Sequence, residues 1–130
     1  NTNIYYSLHP HPNGANSFKI DTGSNEIAYI TDCEHPEGRL NKNVIEISRG
    51  CDILIHDSHF SIKDFTKHKG WGHSSWKQAV DVAITSEVKQ LILFHHCPDY
   101  DDSQVELNEK NAQKKFINTI AAYQGLSIEI

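Results

Sequence analysis

The chain has 130 residues, of which 38% are hydrophobic and 22% charged, a composition that supports a modest core and excludes wholesale disorder. A formal net charge of −5 excludes nucleic-acid binding by bulk attraction, though not through a local basic patch. No apolar run approaches the ~20 residues that span a bilayer, and the opening residues carry no signal-peptide pattern.

Residues 1–130 read as one domain or a large piece of one. Asn1 opens on sequence that reads as mid-domain, so the expectation is further sequence upstream. Three cysteines, Cys33, Cys51 and Cys97, are odd in number and lack Cys-x-x-Cys spacing, which favours a reducing cytoplasm over a disulfide framework. Histidine, at nine residues, is the unusual count.

Ile4 to Leu8 reads as a strand and runs into the turn-rich His9-Pro10-His11-Pro12-Asn13-Gly14. Ser17 to Ile20 is a second strand. The loop Asp21-Thr22-Gly23-Ser24-Asn25 then makes a hairpin into a third, Glu26 to Thr31. Asn43 to Arg49 suits a short helix, with Gly50 placed for a left-handed C-cap. Asp52 to His56 is a buried strand, and Ser61 to His68 is predicted to be helical. Trp76, Ala79, Val80, Ala83 and Ile84 form an amphipathic stripe, which predicts a helix over Ser75 to Ser86. Gln90 to Phe94 is another apolar strand. Ala112, Phe116, Ile120 and Tyr123 share one helical face, which predicts a long helix from Ser103 to Gln124, stopped by Gly125. Leu126 to Ile130 completes the list as a final strand. Apolar strands alternating with amphipathic helices indicate an α/β domain with a partly parallel sheet, and the opening hairpin makes that sheet mixed.

Three apolar strands are each followed by groups that can hold a metal. Asp32 follows Ile27-Ala28-Tyr29-Ile30-Thr31, His56 and Asp57 follow Ile53-Leu54-Ile55, and His95 and His96 follow Leu91-Ile92-Leu93-Phe94. In open α/β sheets ligands bind outside the carboxyl ends of strands, so these groups can converge. Neutral imidazole with carboxylate suits zinc, iron or manganese. Taken singly, an Asp after a strand is more often a turn or cap residue; the recurrence carries the inference. Gly70-Trp71-Gly72-His73-Ser74-Ser75 is either a loop with a helix cap or a rigid seat for a proton-donating His73. The carboxylates of Cys97-Pro98-Asp99-Tyr100-Asp101-Asp102-Ser103 read first as helix-capping groups, and Cys33 and Cys97 as buried bystanders.

The order of these motifs resembles the metallo-β-lactamase superfamily, in the phosphodiesterase-like branch that includes ribonuclease Z and phosphoribosyl cyclic phosphodiesterases. The likeness runs from about His11 to Val105. His11-Pro12-Asn13-Gly14-Ala15-Asn16-Ser17-Phe18-Lys19-Ile20 resembles a ligand-His segment entering a strand. Tyr29-Ile30-Thr31-Asp32 resembles the strand that ends in the carboxylate bridging two metals. Leu54-Ile55-His56-Asp57-Ser58 and Gly72-His73-Ser74-Ser75 resemble the segments that carry a catalytic His and its carboxylate partner. Leu93-Phe94-His95-His96 resembles the strand ending in the last ligand, with His95 chosen over His96 by register.

The resemblance implies the C-terminal half of an αββα sandwich. It implies a metal-dependent hydrolase with two divalent ions, zinc first and manganese or iron as alternatives. Asp32 would bridge them, His11 and His95 would each hold one, and a bridging hydroxide would attack a phosphodiester. His73, oriented by Asp57, would protonate the leaving oxygen. One departure stands out: the family's His-x-His-x-Asp-His motif is absent, because His9-Pro10-His11 is followed by Asn13 and Gly14 where Asp and His belong. Two protein ligands per ion fall short of the usual three or four, so the chain alone is expected to be inactive. The partners implied are the missing N-terminal half and a phosphodiester or other small substrate, with a homo-oligomer and a nucleic-acid substrate both left open. The competing readings are a non-catalytic module that needs a separate half, and a serine hydrolase built on Ser74 or Ser75, which lacks a Gly-x-Ser-x-Gly elbow.

Overall fold

The computed structural model describes all 130 residues. In chain order the elements are β1 (Asn3–His9), β2 (Ala15–Asp21), β3 (Glu26–Ile30), α1 (Lys42–Ser48), β4 (Ile53–Asp57), α2 (Ile62–Phe65), α3 (Trp76–Thr85), β5 (Gln90–Phe94), α4 (Asp102–Gln113) and β6 (Thr119–Ala121). The six strands lie side by side in sequence order. β1, β2 and β3 pair antiparallel, and β3 through β6 run parallel. No helix is long and apolar enough to cross a membrane.

Local chemistry sets the helix ends. The Asn41 side chain accepts from the amides of Asn43 and Val44 at the start of α1, and Gly50 follows its end at φ 68°. Ser75 and Gln78 form a reciprocal capping box on α3. Asp101 caps α4 through the Gln104 amide, the role expected of that acidic run. The turn after β4 keeps only Ile62–Phe65 of the helix expected over Ser61 to His68.

The expected long helix is overturned. α4 stops at Gln113, and residues 119–121 form β6 in place of continued helix. Without β6, β5 would present an unpaired edge, and filling it satisfies the ladder of Leu91, Ile92 and Leu93. Two side chains fix the departure: Gln113 donates to the Thr119 carbonyl and Asn118 donates to the Lys89 carbonyl. The expected apolar stripe is split accordingly, with Ala112 in the core and Tyr123 exposed. Residues 126–130 form no strand, and Gly125 lies in a turn closed by the Leu126 amide on the Tyr123 carbonyl.

Alternation along the strands gives the sheet two unlike faces. Ala28, Ile30, Leu54, Leu91 and Leu93 point to the helices and join Val44, Ala79, Val80 and Ala83 in one core. On the other face, the register aligns Tyr6, Phe18, Tyr29, Ile55, Ile92 and Ile120 in one apolar row across all six strands. A second row runs Ile4, Ile20, Ile27, Ile53. Toward β1 this face is open: Ile4 is 65% exposed and Tyr6 74%.

Candidate metal centre at the carboxyl rim of the sheet

Because β3, β4 and β5 are parallel, the residues at their carboxyl ends share one rim. The antiparallel β1–β2 hairpin brings its turn to the same rim, since Phe18 pairs with Tyr29. Asp32, Asp57, His95 and His11 therefore arrive from four separate segments, and His73 enters from the loop ahead of α3.

The closest approaches centre on Asp32. Its Oδ1 lies 3.6 Å from His95 Nε2 and 4.0 Å from His11 Nε2. His11, Asp32 and His73 each offer a ligand atom within 4.8 Å of the others, as do His59, His73 and His95. His96 turns the other way and donates from Nε2 to the Ala122 carbonyl. An open cleft of about 480 Å³ beside the rim is lined by His11, Glu34, Gly70 and Gly72 among others.

Asp57 is fully buried yet heavily solvated by protein. It accepts from His73 Nδ1 at 2.9 Å, from the amides of Ser74 and His59 at 3.1 Å, and from the Cys33 amide at 3.4 Å. Its hydrogen bond raises the His73 pKa above the ordinary imidazole value, against a lowering by burial, with Asp32 and Glu34 adding to the rise. A carboxylate holding Nδ1–H fixes the ring and directs Nε2 outward.

Several groups around the rim were not singled out in the sequence. The two imidazoles of His9-Pro10-His11 do different work. His9 is buried, accepts from Ser17 Oγ at Nδ1, and donates from Nε2 to the carbonyls of Thr31 (3.1 Å) and Asp32 (3.0 Å). His59, two residues beyond Asp57, stacks on His73 and donates from Nδ1 to the His95 carbonyl at 2.9 Å. Burial lowers its pKa more than that bond raises it. Glu34 accepts from the amides of Gly70 and Gly72, both at 2.7 Å, and so ties the His73 loop to the segment after β3. The surplus of histidine was the available signal for His9 and His59; nothing comparable marks Glu34.

A third cluster, Cys33, His35 and His56, lies inside the fold. The Asn41 amide donates to His35 Nδ1, and His56 donates from Nδ1 to the Asp57 carbonyl. The 3.3 Å contact between the two Nε2 atoms then runs from His35 to His56, and each ring is satisfied as a neutral species. The serine hydroxyls are also committed. Ser74 is buried and donates to the Cys33 carbonyl, and Ser75 caps α3, so neither is placed as a nucleophile. Cys33 is buried, as expected, whereas Cys97 is only partly so.

The donor set at the rim, imidazole nitrogens flanking a carboxylate, has the chemistry of a zinc, manganese or iron site. His11 with Asp32, and Asp32 with His95, form two adjacent imidazole–carboxylate pairs, each with fewer than the three or four ligands usual for zinc.

A family model described as a beta-lactamase superfamily domain matches residues 2–96. The ribonuclease Z of Archaeoglobus fulgidus is 41% identical over 96 residues, which is 72% of this chain and 30% of that protein. Among solved structures, the metallo-β-lactamase fold protein YhfI of Bacillus subtilis superposes with a TM-score of 0.80 at 21% identity, over 96% of this chain and 47% of that one. A diphosphatase of the PhnP family gives a TM-score of 0.64 at 19% identity, over 96% and 42%. The chain spans about a third of the length of the curated relatives it matches. With the matched segment covering every strand through β5 and the rim residues at its turns, the chain belongs to the metallo-β-lactamase superfamily, in its ribonuclease Z-like branch.

Proposed function

We propose that the chain is the C-terminal portion of a metal-dependent hydrolase that acts on phosphodiesters at a two-metal site. The observation that carries this reading is the convergence of Asp32 with His11 on one side and His95 on the other, beside a His73 that is already oriented by Asp57. His11 and His95 would each hold one divalent ion, zinc by preference, and Asp32 would serve both. Such ions supply Lewis acidity that acidifies a water and neutralises charge on phosphoryl oxygens.

The chain's own residues account for the proton transfer. Asp57 grips His73 Nδ1–H, so the outward Nε2–H is the proton available to a leaving oxygen. The raised pKa keeps that proton in place nearer neutrality. RNA is the substrate class favoured by the ribonuclease Z relatives, and a small phosphate diester by the phosphodiesterase-like branch. Three free cysteines fit a cytoplasmic setting.

A second reading, a module that works only with a separate N-terminal half, is favoured by two observations. Each ion would find only two ligands here, and the two apolar rows of the helix-free face need a cover. A second sheet of the sandwich is the occupant that reading requires, consistent with the chain spanning 47% of YhfI. The test is metal analysis with a phosphodiester assay on the parent protein and its Asp32→Ala form. Loss of bound metal together with turnover is expected; undiminished turnover in Asp32→Ala ends the proposal. Turnover restored only on adding an N-terminal half would favour the second reading.

A further inference from the structure

His59 has no part in that mechanism, yet it joins two residues that do. Its ring lies nearly parallel to that of His73, with centroids 4.3 Å and planes 18° apart, and its centroid is 5.2 Å from that of His95. His73 and His95 are themselves 4.9 Å apart, centroid to centroid. One ring nitrogen from each of the three falls within 4.8 Å of the other two.

The second nitrogens decide what this cluster can do. His73 Nδ1–H is held by Asp57 and His59 Nδ1–H by the His95 carbonyl, both at 2.9 Å. A neutral imidazole has a single N–H, so both rings leave Nε2 as a bare lone pair. Because the stacked rings hold those lone pairs nearly parallel, one ring turns out of the stack for both to reach one ion. An oxygen acceptor behind each imidazole is the usual support of histidine ligands in metal sites. The buried trio of Cys33, His35 and His56 is equally close-packed but fails this criterion. There the Asn41 amide occupies His35 Nδ1, so His35 Nε2 carries the proton and has no lone pair to give.

We propose that His59, His73 and His95 form a three-imidazole site for a zinc-class divalent cation, an alternative seat that does not use Asp32 and that draws His95 away from the pair of ions Asp32 would bridge. Three neutral imidazoles with an open fourth position make up a well-known type of zinc site. Bonds of about 2.0–2.1 Å in tetrahedral geometry place the nitrogens about 3.3 Å apart, so the rings tilt inward on binding. The consequence is specific. His73 Nε2 cannot hold a cation and also donate a proton, so an ion seated here withdraws His73 from acid catalysis.

The test is titration of the metal-free 130-residue chain with cobalt(II), whose visible absorption reports tetrahedral coordination, in wild type, His59→Phe and Asp32→Ala. Phenylalanine keeps a stacking ring and removes both nitrogens. The expected result is that His59→Phe loses the tetrahedral band and weakens binding at least tenfold, while Asp32→Ala keeps both. Absence of the band in wild type overturns the site, and so does its loss in Asp32→Ala with survival in His59→Phe. If His59→Phe does not fold, long-range proton–nitrogen spectra of wild type with zinc decide: Nε2 of His59, His73 and His95 must shift together. A spectrum in which His59 stays unmoved overturns the proposal. None of these outcomes bears on whether Asp32 is needed for turnover by the parent, so the two readings fail independently.

Discussion

Asp32 and His95, whose side chains approach to 3.6 Å, both adopt the left-handed backbone region, at φ 53° and 61°. Non-glycine residues seldom sit there, and the cost is about 1 kcal/mol each. The same device holds each one: a histidine from elsewhere donates to the carbonyl of the strained residue. His9 takes the Asp32 carbonyl and His59 takes that of His95. The two turns therefore carry strain that the surrounding imidazoles stabilise, and the strain aims both side chains at one point.

Replacing His95 with glycine should release that strain. The His95 side chain is 37% exposed, so little packing is lost, and the carbonyl that His59 grips remains. The expected outcome of His95→Gly is a melting temperature higher by about 3 °C, from about 1 kcal/mol, together with weaker metal binding. Calorimetry and a metal titration measure the two effects. A lower melting temperature would mean that the turn is not strained.

Gly72 packs closely against His11. A Cβ at this position would lie 2.3 Å from His11 Cδ2 and 2.7 Å from its Nε2, and the residue sits at φ +90°. Gly72→Ala should therefore displace the His11 ring and destabilise the fold by about 2 kcal/mol through overpacking and backbone strain. Denaturant unfolding checks the stability, and the His11 ring resonances check the displacement. Unchanged resonances would show that the loop yields instead.

Strands β4 and β5, the capped helices and the rim carboxylates were legible because each is encoded locally. Ile53-Leu54-Ile55 and Leu91-Ile92-Leu93 are continuous apolar runs, and a serine stands ahead of the α3 stripe where a helix cap belongs, with the structure choosing Ser75. The end of α4 was not legible. Ala112, Phe116 and Ile120 keep helical spacing, but the free edge of β5 competes for Ile120 and wins through long-range hydrogen bonds that spacing does not encode. At the rim, Asp32, Asp57 and His95 follow apolar strands and announce themselves. His59 and Glu34 do not, because their roles rest on backbone groups of residues about 36 positions away.

Asp57 is a test of how one buried carboxylate serves four donors. Asparagine has one acceptor oxygen, and its amide would face N–H groups from Cys33, His59, His73 or Ser74. Asp57→Asn should cost about 3 kcal/mol. It should also lower the His73 pKa, since the hydrogen bond and charge of Asp57 are what raise it. The sign for stability follows: in wild type the His73–Asp57 contribution is fully present at low pH, below the ordinary imidazole value, and is lost as pH rises through the raised value. Titration of the His73 ring by NMR measures the shift, and an unchanged His73 pKa would remove Asp57 as its cause.

The interior pair His35 and His56 acts in the opposite direction. Burial, then the neighbouring imidazoles of His56 and His9, lower the His35 pKa from 6.5 to about 3, and burial lowers that of His56 as well. Both rings are fully paired as neutral species, so protonation either breaks the Nε2 contact or places a charge in the core. Between 6.5 and about 3 the unfolded chain binds more protons than the folded one. Stability is therefore full above that window and falls as pH drops through it, by up to about 1.4 kcal/mol per pH unit for each proton. His35→Gln keeps an acceptor for the Asn41 amide and a donor for His56 while removing one titrating group. Its unfolding free energy should depend less steeply on pH across this window than that of wild type, whatever its value at neutrality. Identical slopes in denaturant titrations from pH 7 to 4 would locate the acid sensitivity elsewhere, since the glutamine form has only His56 left to take up a proton at this contact.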